Sequence, residues 1–165
     1  MVKAAVAQVG SVLFDTPATL DRMERLVERA RQSSVDLLVF PEALVGGYPK
    51  GADFGARVGM RSDVGRDDFR RYFQAAIAVP GPETDRIGQM AVSLGGQIVV
   101  GVIERDGGTL YCTALFFSAD GQITGKHRKL MPTASERLIW GFGDGSTINV
   151  VETPAGRLGA VICWE

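Results

Sequence analysis

The apolar run Leu37-Leu38-Val39-Phe40, stopped by Pro41, constrains the fold more than any other feature of the chain. Apolar residues without polar alternation suit a strand buried on both faces, and such strands belong to parallel sheets covered by helices. The preceding segment supplies a helix. Thr16-Pro17 opens it with a capping hydroxyl and a proline at the first helical position. Leu20, Met23, Val27 and Ala30 then recur at helical spacing, while Arg22, Glu24, Arg25, Glu28, Arg29 and Arg31 fill the other face. Val2 to Val9 ahead of it reads as a strand. The strand–helix–strand order is a βαβ unit and implies an α/β fold.

The rest of the chain extends that unit. Residues 45 to 66, rich in glycine and charge, read as a long loop of the kind that often carries function. A helix is expected around Phe69, Tyr72, Phe73 and Ala76. Pro80-Gly81-Pro82 breaks the chain, and a further helix runs to Leu94 before Gly95-Gly96 stops it. Three strands follow, Ile98–Glu104, Leu110–Phe117 and Gln122–Arg128, separated by the turn signals Asp106-Gly107 and Asp120-Gly121. After a loop from Met131 to Ser146, a last hairpin is expected to join Thr147–Thr153 to Arg157–Cys163 across Pro154-Ala155-Gly156. The expectation is one α/β domain over residues 1–165 with a mixed sheet.

Composition narrows the function. The 18 basic and 19 acidic residues leave a net charge of -1, which gives no support to nucleic-acid binding. No apolar run reaches the ~18 residues of a membrane helix, and the start of the chain is too short in its apolar part for a signal peptide. Cys112 and Cys163 make no disulfide framework, so a reducing cytoplasm is expected. With no Cys-x-x-Cys and only His127, no metal site is expected.

Three segments place reactive groups just past apolar runs. Phe40-Pro41-Glu42-Ala43-Leu44 offers a carboxylate, His127-Arg128-Lys129-Leu130-Met131-Pro132-Thr133 an ammonium, and Val161-Ile162-Cys163-Trp164-Glu165 a thiol. Polar groups at strand ends of an α/β sheet converge on one edge. The carboxylate can take the thiol proton, and the cation can stabilise both the thiolate and negative charge on a substrate. Each residue also has a plain structural reading. Cys163 could be a buried strand cysteine, Glu42 a helix-terminal carboxylate, Lys129 one of a solvated basic cluster with Lys126 and Arg128, and Glu136 a surface partner of Arg137 or Arg128. Cys112 has no reactive company in the sequence and reads as structural. His127 is the only candidate base for a Cys-His mechanism, and strand alternation puts it on the same side as Lys129. Gly141-Phe142-Gly143-Asp144-Gly145 lacks the strand and helix that a phosphate loop requires and reads as a flexible loop.

Together these segments resemble the nitrilase superfamily of carbon–nitrogen hydrolases. That resemblance implies a Glu-Lys-Cys triad of Glu42, Lys129 and Cys163, with Glu136 in Pro132-Thr133-Ala134-Ser135-Glu136-Arg137 as a fourth, orienting residue. Gly46-Gly47-Tyr48-Pro49-Lys50-Gly51 and Cys163-Trp164-Glu165 are most similar to the nitrilase branch. The implied fold is the amino-terminal half of an α-β-β-α sandwich, and the implied reaction turns a nitrile into an acid and ammonia through a thioimidate and a thioester. No cofactor is implied. The substrate would be a small nitrile, with an amidase or cyanide-degrading activity as the alternative, and the complete protein would form a homo-oligomer. Tyr48, Trp140, Phe142 and Trp164 are candidate pocket walls, and the Trp164 N–H is the candidate oxyanion donor. The match corresponds to about the first half of a family member. A truncation just after the cysteine is therefore expected, and with it an inactive fragment or partner-dependent half-domain as the rival to an enzyme.

Overall fold

The computed structural model describes residues 1–57 and 59–165; Val58, within the long loop expected between 45 and 66, lies outside the described residues. In chain order the elements are β1 (Ala4–Val6), α1 (Thr16–Gln32), β2 (Leu37–Val39), α2 (Asp63–Ala75), α3 (Pro82–Leu94), β3 (Gln97–Asp106), β4 (Thr109–Phe117), β5 (Ile123–Arg128), a 3-10 turn (Ala134–Leu138), β6 (Val151–Thr153) and β7 (Gly156–Leu158).

Five strands form one sheet in sequence order, β1 to β5. Helical crossovers make β1, β2 and β3 parallel, because a parallel pair needs a long connection. Tight turns make β4 and β5 antiparallel. The sheet is mixed, as the change from helical to alternating pattern predicts. The first of these turns is Gly107-Gly108 rather than Asp106-Gly107, since Asp106 still pairs with Thr109.

Alternation along β3 and β4 separates two cores. Ile98, Val100 and Val102 face Met23 and Val27 of α1 and Ile87, Met90 and Leu94 of α3, with Leu115 and Phe117 beside them. Ile103, Leu110, Cys112 and Ala114 face the other way, onto Tyr72 of α2, Trp140 and Ile162. Burying each large side chain contributes about 1.5–3 kcal/mol, so register is strongly fixed on both faces. The helix layer thus covers one face, and the opposite face carries the reactive residues. No described helix is long and apolar enough to cross a membrane.

Two local expectations change. Asp15, not Thr16, caps α1: its carboxylate accepts from the Ala18 N–H at 2.9 Å, and the Thr16 hydroxyl instead donates to the Ala75 carbonyl at 2.6 Å. The last hairpin is real but short. Among the described residues β6 and β7 pair only with each other, and residues 159–162 are not in a strand. A run beside no hydrogen-bonding neighbour has nothing to hold it in a ladder, so Cys163 is presented by a turn rather than by the end of a strand.

Candidate active site

Lys129 follows β5 directly, and its N–H extends the ladder to the Cys112 carbonyl at 2.8 Å. Strand alternation sends it to the face opposite the helices. There the side chain is 1% exposed, and Nζ donates to Glu42 Oε1 at 2.8 Å and Glu136 Oε2 at 2.9 Å. A solvated basic cluster is therefore excluded for this residue. Burial disfavours the ammonium, but the two carboxylate bonds outweigh that penalty and hold the lysine above its ordinary pKa. It stays charged at neutral pH.

Glu42 reaches the cluster because its backbone crosses close over β3. Gly101 permits this: a Cβ there would collide with the Pro41 carbonyl and the Glu42 Cα. The next residue, Ala43, takes a left-handed φ of 51°, a strained conformation for a residue with a side chain. Glu136 sits on the 3-10 turn. Oε2 accepts from the Thr133 N–H at 2.6 Å, and Oε1 accepts from the Tyr48 hydroxyl at 2.8 Å. Burial raises the Glu136 pKa, and the bonds to Lys129, Thr133 and Tyr48 bring it below the ordinary carboxylate value. The bond to Glu136, with burial behind it, pushes Tyr48 up to about 12, so Tyr48 remains a donor.

Cys163 is exposed, with φ of 62°. Its sulfur has Thr133 Oγ1 at 3.9 Å. A cavity of about 150 Å³ is lined by Cys163, Ile162 and Ala160 on one side and by Glu42, Phe40, Gly101 and Cys112 on the other. The structure therefore brings Glu42, Lys129 and Glu136 into direct contact and sets Cys163 on the wall of the cavity that Glu42 also lines.

The four candidate pocket walls divide. Tyr48 is half-exposed beside the cluster. Trp140 is buried behind it, with Nε1 donating to the Tyr72 hydroxyl at 3.1 Å and its ring 5.7 Å from Lys129 Nζ. It supports the lysine and does not line the cavity. Phe142 and Trp164 project into solvent, with Trp164 89% exposed. Trp164 does so because it sits at the tip of the turn closed by the Glu165 N–H and the Ile162 carbonyl. The loop around Phe142 is tied to the sheet at two points. The Gly141 N–H donates to Leu110 and the Gly143 N–H to Lys129, each at 2.8 Å, and a Cβ on Gly143 would strike the Arg128 carbonyl.

Cys112 is the residue that sequence reasoning missed. Its sulfur lies 3.6 Å from Glu42 Oε1. Burial, then the nearby Glu42 charge, raises its pKa well above that of a free thiol, so it stays protonated. The only signal in the sequence was its place opposite Lys129 once β4 and β5 are paired. His127, by contrast, bonds Glu165 Oε2 through Nε2 at 2.8 Å, and its Nδ1 has no hydrogen-bond partner among the described residues. Neither ring nitrogen contacts Cys163.

A buried ammonium thus lies between two carboxylates, beside a cavity with a thiol on its wall. The chain belongs to the carbon–nitrogen hydrolase family, which it matches over residues 3–165. It is 58% identical over 164 residues to a bifunctional nitrilase/nitrile hydratase of Lupinus angustifolius, covering 99% of this chain and 47% of that protein. It is 55% identical over 163 residues to an aliphatic nitrilase of Sinorhizobium fredii, covering 99% and 53%. In fold it is similar to a carbon–nitrogen hydrolase superfamily protein of Xanthomonas campestris, with a TM-score of 0.75 at 20% identity over 99% of this chain and 53% of that one. The chain spans about half the length of the curated relatives it matches.

Proposed function

We propose that this chain carries the reaction centre of a nitrilase, with Cys163 as nucleophile, Glu42 as general base, Lys129 as electrostatic stabiliser and Glu136 as the residue that orients Lys129. The observation that carries this reading is the position of Lys129, buried and held at hydrogen-bond distance from both carboxylates, next to the cavity that Cys163 and Glu42 share.

The chemistry follows from those positions. The Cys163 thiol loses its proton to Glu42 and its sulfur bonds to the nitrile carbon, while the nitrile nitrogen takes up a proton and leaves a neutral thioimidate. Glu42 then activates a water that adds to the same carbon. Carbon–nitrogen cleavage releases ammonia and leaves a thioester, and a second water releases the acid and returns the proton to sulfur. Lys129 offsets the negative charge that builds up at each addition. If the carbon–sulfur bond of the first tetrahedral intermediate breaks instead, the product is an amide. The name of the lupin relative favours keeping this second outcome in view.

The test is a product assay on this sequence within a chain of the relatives' full length. Small aliphatic and aromatic nitriles should yield ammonia and acid, with any amide measured alongside. Absence of both products across the panel, with amides hydrolysed instead, would replace the nitrilase reading with an amidase.

A further inference from the structure

Glu165 plays no part in the chemistry above, yet its carboxylate makes three contacts that all bear on the site. Oε2 accepts from the Ile162 N–H at 2.8 Å and lies 2.8 Å from His127 Nε2, and Oε1 accepts from the Leu130 N–H. Leu130 directly follows Lys129, and Ile162 directly precedes Cys163. We propose that Glu165 is a positioning residue: a carboxylate clip that sets the nucleophile turn at a fixed distance from Lys129. This rests on the reading of Cys163 as the nucleophile.

Three features support a clip over an ordinary turn contact. First, beyond the packing of Ile162 into the core, no strand ladder holds the turn. Residues 159–162 lie outside any strand, Val161 and Trp164 are exposed, and Cys163 itself holds a strained left-handed conformation that only a surrounding set of contacts can maintain. Second, the clip is anchored on the sheet. His127 is a buried residue of β5 paired opposite Ala114, so the tie runs from the five-stranded sheet to the turn. Third, the charges are consistent. Burial raises the Glu165 pKa, but the bonds from Leu130, His127 and Ile162 bring it below the ordinary value. An ionised carboxylate only accepts, so His127 donates from Nε2, and its buried Nδ1 has no hydrogen-bond partner among the described residues. His127 is thereby the anchor of the clip rather than a base for the thiol.

The experiment uses this sequence within a chain of the relatives' full length and compares wild type, Glu165→Gln and His127→Asn. Gln keeps one accepting oxygen, so it can satisfy one of the two backbone amides but not both. Displacing a reacting group by about 1 Å can cost on the order of 10²-fold. Glu165→Gln should therefore lower kcat on a nitrile about 10- to 100-fold while KM stays within about twofold. Without substrate, iodoacetamide labelling of Cys163 should slow in the same variant, because the sulfur loses its fixed place on the cavity wall it shares with Glu42. His127→Asn should move both readouts the same way by less, since the two backbone bonds are loosened rather than lost. Labelling reads the clip even if no nitrile is hydrolysed, which separates failure of the clip from failure of the nitrilase reading. If Glu165→Gln does not fold, His127→Asn decides through faster amide exchange at Leu130 and Ile162. Unchanged kcat and labelling in Glu165→Gln, or unchanged exchange in His127→Asn, would overturn the proposal. So would an equal loss of melting temperature, kcat and KM, the pattern of a merely structural contact.

Discussion

Strand β5 carries two charge clusters on opposite faces, built from alternate residues of one short segment. Lys129 meets Glu42 and Glu136 on the open face. Lys126 and Arg128 meet Glu104 on the helix face, at 2.6 and 2.7 Å, with Thr113 donating to Glu104 at 2.9 Å and Asp106 taking the outer side of Arg128 at 2.8 Å. The ingredients match, but their arrangement differs. In the Glu104 cluster the most buried charge is a carboxylate saturated by cations and a hydroxyl. In the Lys129 cluster the most buried charge is the cation, and two carboxylates compete for it. One of those carboxylates borders a cavity shared with a thiol. A saturated network stabilises and specifies. A network with surplus negative charge next to a cavity can accept a proton, which is what a nucleophilic thiol needs. Charge pairing alone therefore does not separate the two clusters; the direction of the surplus and the adjoining cavity do.

The sharpest way to break this contrast is to neutralise each centre. Lys129→Gln should lower kcat by about 10²–10³-fold, the range for losing a preorganised stabiliser of developing charge. Glu104→Gln should keep kcat within about threefold. Equal kinetic losses in the two variants would mean that both clusters serve one structural purpose.

Stability should register the loss of the helix-face centre even though rate does not. Glu104→Gln removes the shared acceptor of two cations and should cost about 1–3 kcal/mol by denaturant titration. A variant as stable as wild type would show that the helix-face network is idle.

Acid should act through the same cluster. Burial raises the Glu104 pKa, but its bonds to Arg128 and Lys126 bring it below the ordinary 4.5. A carboxylate depressed in the folded state contributes stability that is present above 4.5 and is lost as pH falls through the folded value. Wild type should therefore lose more stability than Glu104→Gln between neutral pH and pH values below 4.5. Parallel stability–pH curves would contradict the assignment.

The smallest effect belongs to Cys112. A thiol is a weak donor, so Cys112→Ala should lower kcat only about two- to fivefold, through a less restrained Glu42 carboxylate. Cys112→Ser, which keeps a hydroxyl donor, should recover part of that loss. Cys112→Ala with a loss as large as that of Lys129→Gln would make Cys112 a member of the reaction centre.

Much of this arrangement was legible in the sequence. The apolar run 37–40, the helical periodicity of 20–30 and the turn signals after β3 and β4 mark the βαβ opening, its helix and the hairpin strands that follow, because buried periodicity leaves a direct trace. Lys129 was readable as a member of the open face from β5 alternation. What sequence reasoning missed has a shared cause: contacts between segments far apart in the chain. Gly101 reads as any strand glycine until the Glu42 backbone is seen lying over it. Cys112 reads as core until Glu42 reaches it from 70 residues away. The cap of α1 passes from Thr16 to Asp15 because the Thr16 hydroxyl is drawn to Ala75, at the end of a different helix. The run 158–162 reads as a strand because apolar residues favour one, yet strand formation also needs a neighbour, and only Gly156–Leu158 has one.

The central claim is that the open face of β5 serves covalent chemistry at Cys163, and peptide mapping tests it most directly. This sequence, within a chain of the relatives' full length, would be quenched in acid during nitrile turnover, digested and weighed. The account predicts an acyl or imidate adduct on the peptide containing Cys163, absent in Cys163→Ala together with turnover. An adduct on the Cys112 peptide instead, or wild-type turnover in Cys163→Ala, would contradict it.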